Sequence, residues 1–163
     1  MKITLAKSAG FCFGVKRAFD IALKTAAGQS RVYMLGDIVH NEAVIKKIGE
    51  SGIKKIDKLS KIKNASLLIR AHGEGIKTME EAHKLGYKII DATCPMVKEI
   101  HKIAKKMEEK GYKIIIIGDK SHDEVRGIIG QLQNKGIVIS KLEDITLAEV
   151  KRLKKACIVV QST

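Results

Sequence analysis

Residues 88–118, KIIDATCPMVKEIHKIAKKMEEKGYKIIIIG, decide how the rest of the chain is read. Lys88 to Ala92 is a β-rich run and predicts a strand. Pro95, the only proline in the chain, suits the first helical position, where a missing N–H costs nothing. From Pro95 to Lys110, Val97, Ile100, Ile103, Ala104 and Met107 recur at helical spacing and mark an inward stripe. Gly111 suits a left-handed helix end, and Lys113 to Gly118 returns to a strand pattern. Strand, helix and strand in close succession are one βαβ unit.

The same alternation extends in both directions. Toward the N-terminus, strands are predicted at Lys2 to Ala6, Val32 to Leu35 and Leu67 to Ala71. Helices are predicted at Val15 to Ala27, Asn41 to Glu50 and Met79 to Leu85, the last opened by a capping box, Thr78 with Glu81. Gly49 and Gly86 suit left-handed helix ends, like Gly111. Toward the C-terminus, helices are predicted at Asp123 to Gln133 and Leu147 to Leu153, and strands at Ile137 to Ser140 and Ile158 to Gln161. This pattern predicts an α/β fold of small, mainly parallel sheets flanked by helices. A first unit over residues 1–94 would join a second over 95–163 near Cys94–Pro95. The last strand ends with the chain, so the reading expects a truncated fold.

With 45% hydrophobic and 30% charged residues, the chain has the composition of a core-forming globular protein. Its apolar runs are too short to span a bilayer, and no signal peptide opens it. Both features point to the cytoplasm. The formal net charge is +13, but the lysines are spread along every helix, and aromatics are only 4% of the residues. That favours a solvated basic surface over a nucleic-acid site, where stacking platforms are needed. Such a field would also draw an anionic substrate or an acidic electron carrier. Three cysteines without a CxxC pair argue against a disulfide framework.

His40, His72, Cys94 and His122 each follow a predicted strand and precede a predicted helix. Ligands of open α/β sheets bind beyond the carboxyl ends of strands, and helix N-termini there hold phosphate. Three imidazoles at such junctions could hold a diphosphate. Neither a Walker-type loop nor a GxGxxG after a strand is present, so a standard nucleotide site is not supported. Cys12 lies between Phe11 and Phe13, with Gly10 and Gly14 on either side. It reads either as a cluster ligand in an apolar shell or as a buried free cysteine. Cys94 sits at the N-cap of the following helix, where the dipole favours thiolate, and the same two readings stay open. Cys157 starts an apolar strand and reads as core. Glu124 has capping-box spacing from Ser121 and could also be a general acid beside His122. His83 and His101 lie within helices among charged neighbours and read as surface residues.

The strings GFCFGVKRA, LGDIVHNEAV, IRAHGEG, DATCPMV, IIGDKSHDEVRGI and VVQST occur in this order and at this spacing. Together they resemble the 4-hydroxy-3-methylbut-2-enyl diphosphate reductases along essentially the whole chain. The resemblance implies a trefoil of three α/β units around a 4Fe-4S cluster, of which this chain holds two. It implies reductive dehydroxylation of the allylic diphosphate to isopentenyl and dimethylallyl diphosphate, the last step of the non-mevalonate pathway. A ferredoxin or flavodoxin would supply electrons. By motif, Cys12 and Cys94 are cluster ligands, His40, His72 and His122 bind diphosphate, and Glu124 delivers a proton. Ser162 stands where the family has threonine and keeps the hydroxyl that supports Glu124. The family's third cluster cysteine lies beyond residue 163, so the chain alone is expected to hold a cluster poorly and to be inactive. The alternative is a non-catalytic basic α/β module that binds phosphate or RNA. A two-ligand zinc or redox-thiol protein ranks last, because short local ligand spacings are missing.

Overall fold

A computed structural model describes the chain except residues 8, 40, 147–149, 151 and 163, and the side chain of Thr146. Among the described residues, five α-helices and seven strands alternate. They are α1 (Phe13–Gly28), β1 (Val32–Leu35), α2 (Glu42–Glu50), β2 (Lys54–Ile56), β3 (Ser66–Ile69), α3 (Ile76–Lys84), β4 (Lys88–Asp91), α4 (Pro95–Glu109), β5 (Lys113–Ile117), α5 (Asp123–Ile129), β6 (Ile137–Ile139) and β7 (Ala156–Val160). They form two all-parallel sheets, one in the order β2-β1-β3-β4 and one in the order β6-β5-β7.

The first sheet is covered on both faces. Val32, Met34 and Leu68 pack under α1 and α2 with Ala18, Ala22, Val44 and Ile48. Leu67, Ile69 and Ile89 face α3 through Ala82 and Met79, with Tyr87 in the same cluster. This explains why β3 reads as a continuous apolar run: all four of its residues are buried. In the second sheet, Ile114, Ile116 and Val159 pack beneath α4 and α5 through Ala104, Val125 and Ile128, with Cys157 at the edge of that core. The opposite face leaves Ile117, Ile158 and Val160 exposed.

Strand order locates where a ligand should sit. In the first sheet, the chain moves outward from β1 to β2 on one side and from β3 to β4 on the other, so the switch lies between β1 and β3. In the second sheet, β5 leads to β6 on one side and pairs with β7 on the other. A crevice opens beyond strand ends at such switch points. Beyond the first sheet, backbone bonds chain the turns together. The Ala71 amide donates to the Ile38 carbonyl at 3.1 Å, and the Cys94 amide to the Ala71 carbonyl at 2.9 Å.

Several elements differ from expectation. Residues 2–6 form no strand; they run irregular and exposed, with Ile3 and Leu5 outside the core. The three-residue β2 pairs with β1 where the sequence showed no strand pattern. Helix α3 starts at Ile76 behind Gly75 and has no side-chain cap, so Thr78 lies inside the helix and the expected capping box does not form. Gly49 lies within α2, and Gly52 takes the left-handed conformation instead, at φ +92°. Leu142–Thr146 is a 3₁₀ turn, and most of the helix expected over residues 147–153 lies outside the described residues.

Leu68 is fully buried on the central strand. Leu68→Ala is expected to lower stability by about 2–5 kcal/mol, the usual cost of a cavity at such a site. Urea denaturation followed by circular dichroism measures it, and a loss below about 1 kcal/mol would contradict a core centred on β3.

Candidate functional site

The two cysteines open two helices. Cys12 is the N-cap of α1, and its sulfur accepts from the Val15 amide at 3.5 Å. Cys94 is the N-cap of α4, with Pro95 following it. Gly14 lies between them. A Cβ built there would stand 2.7 Å from the Cys94 sulfur and 3.9 Å from the Cys12 sulfur. The first distance is too short for any methyl group, so Gly14 is what allows both sulfurs to reach one place. The Arg17 guanidinium ties the turns together by donating to the Thr93 carbonyl at 3.1 Å.

Both sulfurs border a cavity of about 260 Å³ whose lining includes Phe11, Val15, Val39, Ala71, Val97 and His72. The walls are mostly apolar. His72 follows β3 and is buried. Its ring meets that of His122 edge to face, with centroids 5.4 Å apart. His122 is the N-cap of α5: its Nδ1 accepts from the Glu124 amide at 3.1 Å. The neutral ring therefore carries its proton on Nε2. Glu124 is completely buried. Its Oε1 accepts from both the amide and the hydroxyl of Ser162, each at 2.8 Å. The Ser121 hydroxyl donates instead to Asp119 at 2.8 Å, so the spacing of Ser121 and Glu124 makes no capping box here.

The fold thus brings Cys12, Cys94 and His72 to one cavity, sets His122 against His72, and joins Glu124 to Ser162 behind them. His40 lies outside the described residues; its neighbour Asn41 caps α2, with Oδ1 accepting from the Val44 amide at 3.1 Å. Two thiols beside a shared apolar hollow suit a soft, sulfur-loving metal group. Among the described residues, no three Cys, His, Asp or Glu side chains gather closely enough to hold a metal ion. The described residues thus bring two sulfur donors to this cavity.

An ion network binds the two sheets together behind this site. Arg70, two residues before His72, donates through Nε to Glu74 at 2.9 Å and through Nη1 to Asp123 at 2.5 Å. Arg126 also pairs with Asp123. Asp123 is the first residue of α5, between His122 and Glu124. Burial works to raise the Asp123 carboxyl, but the charges of Arg70 and Arg126 outweigh it and hold it below the usual range. At Glu74 burial wins: with the Asp123 charge, it outweighs Arg70 and pushes the carboxyl up. Arg70 sits within the IRAHGEG string, and its pairing with Asp123 spans 53 residues of sequence.

His101 corrects a second expectation. It is half-buried between loop 72–76 and α5, not on the surface: its Cε1 lies 2.7 Å from where a Gly73 Cβ would be. Its spacing from Val97 and Ala104 places it beside the inward stripe of α4, a signal hidden by its charged neighbours.

Arg70→Met and Asp123→Asn are each expected to destabilise the fold. The double-mutant cycle should give a coupling of about 1–3 kcal/mol, and additivity within about 0.5 kcal/mol would refute the clamp. Because the folded Asp123 carboxyl sits low, its contribution is complete above the ordinary carboxylate range. It is lost as pH falls through the lowered folded value, and Asp123→Asn removes that acid-side dependence.

The profile of the LytB protein family matches residues 3–163. The 4-hydroxy-3-methylbut-2-enyl diphosphate reductase of Clostridioides difficile is 41% identical over 165 residues, covering 100% of this chain and 59% of that relative. The enzyme of the same name from Geobacter metallireducens is 37% identical, with 57% of its length covered. A solved structure of (E)-4-hydroxy-3-methyl-but-2-enyl diphosphate reductase, described as the terminal enzyme of the non-mevalonate pathway, superposes with a TM-score of 0.85 at 38% identity. It covers 99% of this chain and 58% of its own. The corresponding reductase from Plasmodium falciparum gives 0.85 at 29% identity, over 96% of this chain and 50% of its own. The chain therefore spans 57% to 59% of the length of these two curated relatives.

Proposed function

Since the chain belongs to the LytB protein family, we propose that it forms part of a reductase acting on 4-hydroxy-3-methylbut-2-enyl diphosphate. The observation that carries this reading is the meeting of Cys12, Cys94 and His72 at one apolar cavity, with His122 and Glu124 next to it. In this reading residues 1–94 and 95–163 are the first two of three α/β units. A third unit would supply the third cysteine ligand. The protein would work in the cytoplasm, with a ferredoxin or flavodoxin as donor. No helix among the described residues is long and apolar enough to cross a membrane.

Cys12 and Cys94 would hold two corners of a 4Fe-4S cluster, which when bound supplies electrons and a Lewis-acidic iron. His72 and His122 bind the diphosphate with ring N–H donors, and His40 joins them as the third imidazole. The N-terminus of α4 adds its positive dipole end to the anion's surroundings. The diphosphate is remote from the breaking C–O bond, so these contacts supply positioning. Phe11, Val15 and Val97 give the hollow an apolar wall for the hydrocarbon part of the substrate. Glu124 gives its proton to the departing hydroxyl oxygen, while Ser162 fixes which way the carboxyl faces.

Anaerobic loading with iron and sulfide, followed by iron counting and an assay with the allylic diphosphate, tests the reading on the full reading-frame product. Glu124→Gln should retain iron and pyrophosphate binding and lose about 10²–10⁴ in kcat. Iron uptake indifferent to Cys12→Ser and Cys94→Ser would refute the assignment. Pyrophosphate binding with no iron uptake would instead favour the phosphate-binding module.

A further inference from the structure

Glu124 poses a supply problem. A completely buried acid that gives up a proton in each turnover must be recharged from outside. Ser162 holds one of its oxygens through both its amide and its hydroxyl.

His101 stands between a cleft beside α4 and α5, the helix that carries Glu124. One side of it lines a separate cleft of about 390 Å³, shared with Asp91, Lys98 and Lys102. The other side reaches α5: its Nε2 lies 3.3 Å from the Cβ position of Gly127. Gly127 is one helical turn from Glu124, on the same side of α5. This Nε2 is buried and has no hydrogen-bond partner among the described residues. A buried ring nitrogen left unsatisfied is costly, and such exceptions call for a functional explanation. The glycines at 73 and 127 make room for the ring; any side chain at Gly73 would collide with it at 2.7 Å.

We propose that His101 relays protons from the α4 cleft to Glu124. A hydronium ion in the cleft protonates the neutral ring at Nδ1, the Nε2 proton passes through a bridging water to the Glu124 carboxylate, and exchange with water then restores the ring N–H on Nε2. One proton crosses for each proton that Glu124 delivers. His101 acts through Glu124 and does not touch substrate. The proposal rests on the reductase reading for the reaction that consumes the protons.

The titratable groups around the ring are Glu124 from α5, Asp91 from the end of β4, Glu74 from the loop after β3, and Lys98, Lys102 and Lys105 from α4 itself. Burial holds the imidazole below its usual value against the upward pull of Glu124 and Asp91. Its protonated form is therefore a ready donor.

Two measurements test the relay. The first needs no turnover: titrate His101 by nitrogen-15 NMR in the unsubstituted chain and in Glu124→Gln. The substitution should lower the His101 midpoint by about one unit, because it removes a facing negative charge. Identical titrations would overturn the relay. The second uses the cluster-loaded full reading-frame product with His101→Gln, and His101→Asn as a second variant should Gln fold poorly. Expected are a kcat lower by about 10- to 100-fold, an unchanged KM, the largest loss at high pH, and partial rescue by added imidazole. A kcat within twofold of the original across the pH range would overturn it. Lack of turnover in the unsubstituted protein counts against the reductase reading alone, and the titration still decides the relay.

Discussion

Loop 72–76 and helix α5 touch backbone to backbone, and everything gathered at the site depends on that contact. The Ile76 amide donates to the Gly130 carbonyl at 2.9 Å. A Cβ on Gly75 would stand 3.0 Å from the Gly130 Cα, and one on Gly130 would stand 2.6 Å from the Gly75 Cα. No side chain separates the two sheets here. His72 rides on one side of this seam and His122 on the other, so the 5.4 Å between their rings is set by how closely glycine lets the backbones approach. Arg70 then fixes the angle of approach by gripping Asp123 from the first sheet. An arginine suits this task because its planar fork reaches Glu74 and Asp123 at once, which a lysine ammonium would hold less rigidly.

Much of this was legible because chemistry and periodicity change at the same residues. Cys94, His72 and His122 each stand where a short β-rich run gives way to helical spacing, and a parallel sheet places such positions along one edge. Cys12 was legible from its own string, GFCFG, although no strand precedes it: residues 2–6 are irregular. An alternating pattern makes a strand only when a neighbour is available to pair with it.

What stayed hidden depends on contacts far apart in sequence. The spacing of Ser121 and Glu124 could not tell a cap from an acid. The answer lies in a ring nitrogen that takes over the capping and in a serine 38 residues away that takes the carboxylate. Arg70 and Asp123 are 53 residues apart, and each alone looks like an ordinary surface charge. His101 was masked for the opposite reason, since its lysine neighbours point outward while it turns in.

The placement of Ser162 ties the acid's environment to the integrity of the second sheet. Strand β7 pairs along its whole length with β5, and the Gln161 amide extends that ladder to the Ile117 carbonyl at 2.9 Å. The Gln161 side chain accepts from the Asp119 amide at 2.9 Å, holding the turn that leads into His122. Ser162 is therefore delivered to Glu124 by a strand, and α5 is delivered to it by the adjacent strand of the same ladder. A buried carboxyl is tolerable only while its hydrogen bonds are made. Any slip of β7 against β5 would strip both Ser162 donors from Glu124 together, so the register of one strand pair governs both the stability of this corner and the aim of its acid.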